Sequence, residues 1–113
     1  MRLRSDIFVA ALTKRAFAAG GFAAVLNRGA SEAGAIFVVF RDRLGGATLY
    51  GPAPQTGYAD NQASRLFAQA GAELDEEALG KKLERELRFD PDAWVVELEV
   101  GLAADQLIDV MTP

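Results

Sequence analysis

Four side chains in this sequence have the right chemistry to hold an anion between them: Arg28, Arg41, Arg43 and Tyr50. Arg41 and Arg43 are two apart, so on an extended segment they share a face. There two guanidinium forks suit a phosphate or carboxylate, and Tyr50 offers a ring to stack on. The plainer reading makes these arginines solubilising charges at strand ends, paired with acids elsewhere. Glu97 and Glu99 form a second candidate. At i and i+2 on a strand they project together, close enough to share a hard cation or to split their pKa values. The same spacing also marks the wet side of an amphipathic strand. The opposite side here, Trp94, Val96, Leu98 and Val100, is regularly apolar. Asp90 and Asp92 flank Pro91 and read as turn residues.

What the sequence lacks narrows the chemistry further. It has no histidine and no cysteine. Imidazole acid–base catalysis, Ser-His-Asp and Cys-His nucleophiles, nitrogen- or sulfur-ligated zinc and disulfides are all excluded. A serine–lysine pair using Ser5, Ser31 or Ser64 stays open, but nothing nearby supports it. Gly20-Gly21 stands between a helix and a strand, the wrong order for a dinucleotide fingerprint. Gly80-Lys81-Lys82 lacks the Ser or Thr of a phosphate loop. No cofactor and no metal is expected, and an enzyme is not the favoured class.

Behind these residues lies an ordinary globular composition. The chain has 113 residues, half of them apolar and a quarter charged. That fits one domain over residues 1–113 with a sizeable core. The net charge of −4 is unevenly spread. Residues 1–56 hold seven bases against three acids, and residues 57–113 hold five against thirteen. The bases are scattered, so the halves are expected to neutralise each other, and nucleic acid is not an expected partner. The apolar run Ile7–Leu12 is too short and too closely flanked by charge for a signal peptide. No stretch approaches the roughly 20 apolar residues of a membrane span. A cytoplasmic protein without a membrane partner is the expectation.

Residues 5–19 predict a helix with Ser5 as N-cap, ended by Gly20-Gly21. It lacks a clean polar face, which suits a helix covered on more than one side. A meander is expected next, with strands over 22–28, 35–41 and 47–50. The continuous run Ile36–Phe40 suits a central strand. The proline- and glycine-bearing stretch from Gly51 to about Ser64 predicts a loop, and 65–70 a weaker fourth strand. Asp75 is positioned to cap a second helix reaching Arg88. Its Leu79, Leu83 and Leu87 form a narrow apolar stripe, with i,i+4 ion pairs elsewhere. A turn at Phe89–Asp92 leads to a fifth strand over 94–100. Residues 101–113 are read as a short helix or a frayed tail.

The simplest hairpin between the second and third strands has Leu44-Gly45 at its centre. Phe40 then faces Leu49 beside Ile36 and Val38, while Phe37, Val39 and Tyr50 lie on the other side. A six-residue turn in the preceding hairpin adds Phe22 and Leu26 to that other side. Both faces would then be apolar. Two helices could cover one face each; if both cover the same one, the Phe22, Leu26, Phe37, Val39 face is left as an interaction surface, for a homodimer or another protein.

Several segments together resemble a known family. They are Phe22–Val25, Arg28-Gly29 with Ala33–Val38, Leu49–Gln55 and, above all, Arg88-Phe89-Asp90-Pro91-Asp92-Ala93-Trp94-Val95-Val96-Glu97-Leu98-Glu99. They are similar to short alphaproteobacterial proteins grouped as domain of unknown function 1491. The resemblance spans nearly the whole chain except the last dozen residues, so a complete member is expected. It implies a small bacterial protein with no assigned activity and no catalytic residues to carry over. The fold expected from the residues is α+β: a mostly antiparallel five-stranded sheet packed by two main helices. The long link between the fourth and fifth strands also leaves room for a parallel crossover. The favoured function is a non-enzymatic interaction module that self-associates or binds a protein partner. A ligand-binding protein or enzyme using the arginines is the alternative, and nucleic-acid binding by the basic half a weaker third.

Overall fold

In the computed structural model, which describes residues 3–54 and 65–112, helix α1 (Ser5–Ala18) starts without a side-chain cap. Ser5 is its first residue rather than its N-cap. The buried hydroxyl donates to the Gly34 carbonyl at 2.6 Å, and two main-chain bonds do the work of a cap: Ser5 N to Glu32 O and Asp6 N to Ser31 O. Gly20, at φ +81°, ends the helix in the left-handed conformation that glycine tolerates.

Among the described residues six strands form one mixed sheet. They are β1 (Phe22–Asn27), β2 (Ile36–Arg41), β3 (Ala47–Pro52), β4 (Leu66–Leu74), β5 (Trp94–Glu99) and β6 (Asp109–Val110), in the order β1-β5-β2-β3-β4-β6. The α+β class and both helices agree with the sequence, but the sheet is neither five-stranded nor a simple meander. β1 and β2 do not form a hairpin. β5 lies between them, antiparallel to β1 and parallel to β2, with Val96 opposite both Val25 and Val38. The connection after β1 is occupied elsewhere, which is why no hairpin forms. It wraps the start of β5, with Ala30 N donating to Asp92 O, the Trp94 indole N–H to Ala30 O, and Trp94 N to Ala35 O. A Cβ at Gly29 would sit 2.2 Å from the Asp92 carbonyl oxygen, so only glycine allows that approach.

The β2–β3 turn also shifts the expected register. Asp42 accepts from Leu44 N and Gly46 N, and Gly45 takes φ +88°. Five residues therefore lie between the strands, so Val39 faces Leu49 and Phe40 faces Thr48. A one-residue slip moves side chains to the opposite face. Leu49 thus joins Phe37 and Val39, while Tyr50 joins Phe40 and Val38.

Helix α2 (Glu76–Phe89) follows β4, with the Asp75 carboxylate accepting from Ala78 N at 2.8 Å as expected. It carries the chain to β5, which points the same way as β4. This is the parallel crossover that the length of the link allowed. Each helix takes one face. Val9, Leu12 and Ala16 of α1 bury Ile36, Val38, Val96 and Leu98, while Leu79 of α2, flanked by Leu83 and Leu87, covers Phe37, Val39, Leu49 and Val95. The tail makes one 3-10 turn (Ala104–Gln106) and then β6, parallel to the start of β4, with Leu107 and Ile108 buried beneath. Residues 55–64, including Ser64 and most of the expected loop, lie outside the described residues. No helix among the described residues is long and apolar enough to cross a membrane.

Leu98 is fully buried on β5, near the middle of the sheet. Leu98→Ala is expected to cost about 2–5 kcal/mol in urea unfolding, against under about 0.5 kcal/mol for Leu44→Ala at the exposed hairpin tip.

Candidate functional site

The candidate arginines do not converge. Arg41 ends β2 on the α2 side of the sheet. Its Nε donates to Glu97 on β5 at 2.8 Å, and its terminal nitrogens pair with Glu76 in the first turn of α2. Hydrogen bonds to Glu97 and then to Glu76 hold its guanidinium further above its ordinary pKa. Arg41 and Glu97 keep only 20% and 17% of their side chains exposed. The pair therefore ties two strands and a helix together and is closed to a ligand.

Arg28 sits at the other end of β5, with its guanidinium 5.1 Å from the centre of the Trp94 ring. Roughly 15 Å of strand separates it from Arg41. Arg43 lies in the β2–β3 turn, beyond the end of β2, so the shared face expected of Arg41 and Arg43 does not exist. Tyr50 is on the opposite face from Arg41, edge-on to Phe40 at 5.6 Å. It borders a groove lined by Ala103, Asp105, Val110 and Met111. The Glu97–Glu99 pair is likewise split, because Glu97 is held by Arg41 while Glu99 is exposed. Among the described residues no group of three or more acidic side chains is placed to hold a metal ion.

The four interface candidates divide just as clearly. Phe37 and Val39 are 8% and 0% exposed, because α2 packs over them. Phe22 and Leu26 are 52% and 49% exposed, on β1 at the open edge of the sheet. The structure adds neighbours that strand patterning did not supply. Phe17, near the end of α1, meets Phe22 edge-on at 6.2 Å, and Ile7 and Val25 are also close to half exposed. A shallow groove on the outer side of α1 is lined by Ile7, Ala10, Ala11, Thr13, Lys14 and Phe17. The sequence signal for this surface was the missing polar face of the helix. Once Val9, Leu12 and Ala16 point to the core, positions 7, 10, 11 and 17 are left apolar on the outside. At the start of α1 the Asp6 carboxyl, hydrogen-bonded by Arg4, is held below the usual carboxylate range.

Comparison with known proteins gives the chain its family. The model described as "Protein of unknown function (DUF1491)" matches residues 3–108. The chain belongs to the DUF1491 family. The solution structure of protein Atu0922 from A. tumefaciens is 50% identical, with 100% of this chain and 98% of that chain aligned and a TM-score of 0.85. A crystal structure of a DUF1491 protein from Caulobacter crescentus is 36% identical over 99% of this chain and 100% of that one, at a TM-score of 0.79. An NMR structure of a DUF1491 protein from the same organism is 38% identical over 99% of both chains, at 0.80. No curated protein matches. In this DUF1491 chain the segment that carried the resemblance most strongly is structural. Asp90 O accepts from Ala93 N, and the Asp90 carboxylate accepts from Asp92 N. Trp94 then anchors the loop after β1.

Removing Arg41 leaves the largely buried Glu97 without its ion-pair partner, whereas removing Glu97 leaves Arg41 still paired with Glu76. Arg41→Met is expected to destabilise by about 1–3 kcal/mol, and the double variant Arg41→Met/Glu97→Met to recover part of that loss. Chemical denaturation of the double-mutant cycle measures both.

Proposed function

We propose that this DUF1491 protein is a non-enzymatic interaction module that docks, on itself or on a protein partner, through β1 and the outer side of α1. The observation that carries this reading is the edge strand itself. Among the described residues β1 pairs with β5 on one side only, and from Phe22 to Asn27 it has no charged residue and no proline. Sheets usually guard such an edge with lysines, prolines or a covering element, because its free N–H and C=O groups template further pairing. Here it continues into exposed Phe17 and Phe22. Residues of this kind bury well at the centre of an interface.

The absence of histidine and cysteine supports a role outside catalysis, and so does the scattering of the arginines. An arginine-lined ligand site gains no comparable support. Arg28 stacks on Trp94 and Arg41 is held by two glutamates.

Cross-linking in an alphaproteobacterial host, followed by capture of the tagged chain, tests the reading. A discrete partner, itself included, is expected. Phe17→Glu combined with Val25→Lys is expected to remove that partner, while Leu44→Lys leaves it bound. A partner retained by the double variant would overturn the assignment.

A further inference from the structure

We infer that the occupant of the α1–β1 surface is a second copy of this chain, joined β1 to β1 in antiparallel fashion so that the two sheets continue as one. This rests on reading that surface as a docking site and adds what docks there.

The two edges of the sheet are treated differently. Beyond Phe67, β4 is unpaired on its outer side among the described residues, and it is guarded. Its pairing with β3 shifts register twice, and Glu73 bends the strand at φ 53°. Bulges and charges of this sort discourage a further strand. β1 pairs regularly with β5 from Phe22 to Val25, and its single irregularity falls after that, at Leu26. A regular, neutral edge suits an identical neutral edge. Neutrality matters here because the chain carries a net −4, so two copies repel unless they meet where charge is absent.

The position of α1 selects a second copy over an isolated strand. On one flank of α1, Phe8 packs 5.8 Å from Phe67 and Arg15 donates to the Leu107 carbonyl, so that flank faces inward across the sheet. The other flank, Ala10, Thr13 and Phe17, overlooks the open edge, and Phe17 touches Phe22 there. An antiparallel β1–β1 pair has its two-fold axis normal to the sheet, so both α1 helices lie on the same face. With strands about 4.8 Å apart and α1 seated over β1 and β5, the two helix axes come to about 8–10 Å. That is the ordinary packing distance for helices, and Ala10 and Thr13 are small enough to allow it. A strand supplied by an unrelated protein would complete the backbone pairing but leave this flank uncovered.

The area is consistent with the arrangement. Ile7, Phe17, Phe22, Val25 and Leu26 each leave about half their surface open. Together these expose on the order of 400 Å² per copy, which with the alanines and the strand backbone of two copies approaches the lower range of stable interfaces. The contact is isologous, so it closes at two copies and does not propagate.

The chain has no native cysteine, so single-cysteine variants give an unambiguous test. Sedimentation equilibrium is expected to show a dimer. Val25→Lys should raise its dissociation constant at least about tenfold while leaving the circular dichroism unchanged. Mild oxidation is expected to link copies carrying Ala10→Cys, and copies carrying Ala24→Cys or Val25→Cys, but not those carrying Leu44→Cys. A wild type that stays monomeric at millimolar concentration overturns the dimer. If its captured partner is still lost on Phe17→Glu/Val25→Lys, the docking surface stands with a different occupant. A dimer indifferent to these substitutions overturns both readings.

Discussion

The place of β5 in the sheet is fixed by the loop that wraps its first residue. Ala30 both donates to Asp92 O and accepts from the Trp94 indole, and Trp94 N donates to Ala35 O. These bonds hold the segment between β1 and β2 against the start of β5, so β5 is seated between those strands. Everything else follows from that seat. The sheet becomes mixed, its middle is apolar on both faces, and each face requires its own helix. Val96 and Leu98 meet α1 while Val95 meets α2. β1 is thereby pushed to the edge, with only one neighbour among the described residues.

The same seating explains why the candidate arginines do not converge. Arg28 and Arg41 lie at opposite ends of β5 and are each engaged within the chain, one by an aromatic face and the other by two carboxylates. In the described residues the polar chemistry serves to pin strands and helices. Phe17, Phe22, Val25 and Leu26 stay open at the rim of the sheet.

Several local signals are legible in the sequence, although Ser5 is not the N-cap that its type suggests. Asp75 caps α2, Gly20 stops α1, and the Asp90–Asp92 turn leads into β5, each because a short stretch of backbone needs that residue. Non-local pairing was not readable. Ile36–Phe40 and Trp94–Leu98 are similarly apolar, and nothing in either run says that they are neighbours. The hairpin register turned on one carboxylate, since Asp42 bonding across the turn adds a residue to it and exchanges Leu49 with Tyr50. Phe37 and Val39 would be open only if both helices shared one face; α2 takes the second face and its three leucines close it. β6 is not legible in the sequence, because two residues carry no periodicity.

The seating of β5 also has a consequence in time. The residues that pair with β1 lie 68 to 77 positions further along the chain. At about 5–20 residues per second, a ribosome takes several seconds or more to deliver them. Until then Phe22–Asn27 has neither of its flanks paired, and β2 has only β3 beside it. The nascent first half is thus a helix and a hairpin waiting for a strand. Contacts so distant in sequence slow folding relative to a local meander of the same size. The edge that stays open in the finished molecule is therefore also the strand that waits longest for its first partner.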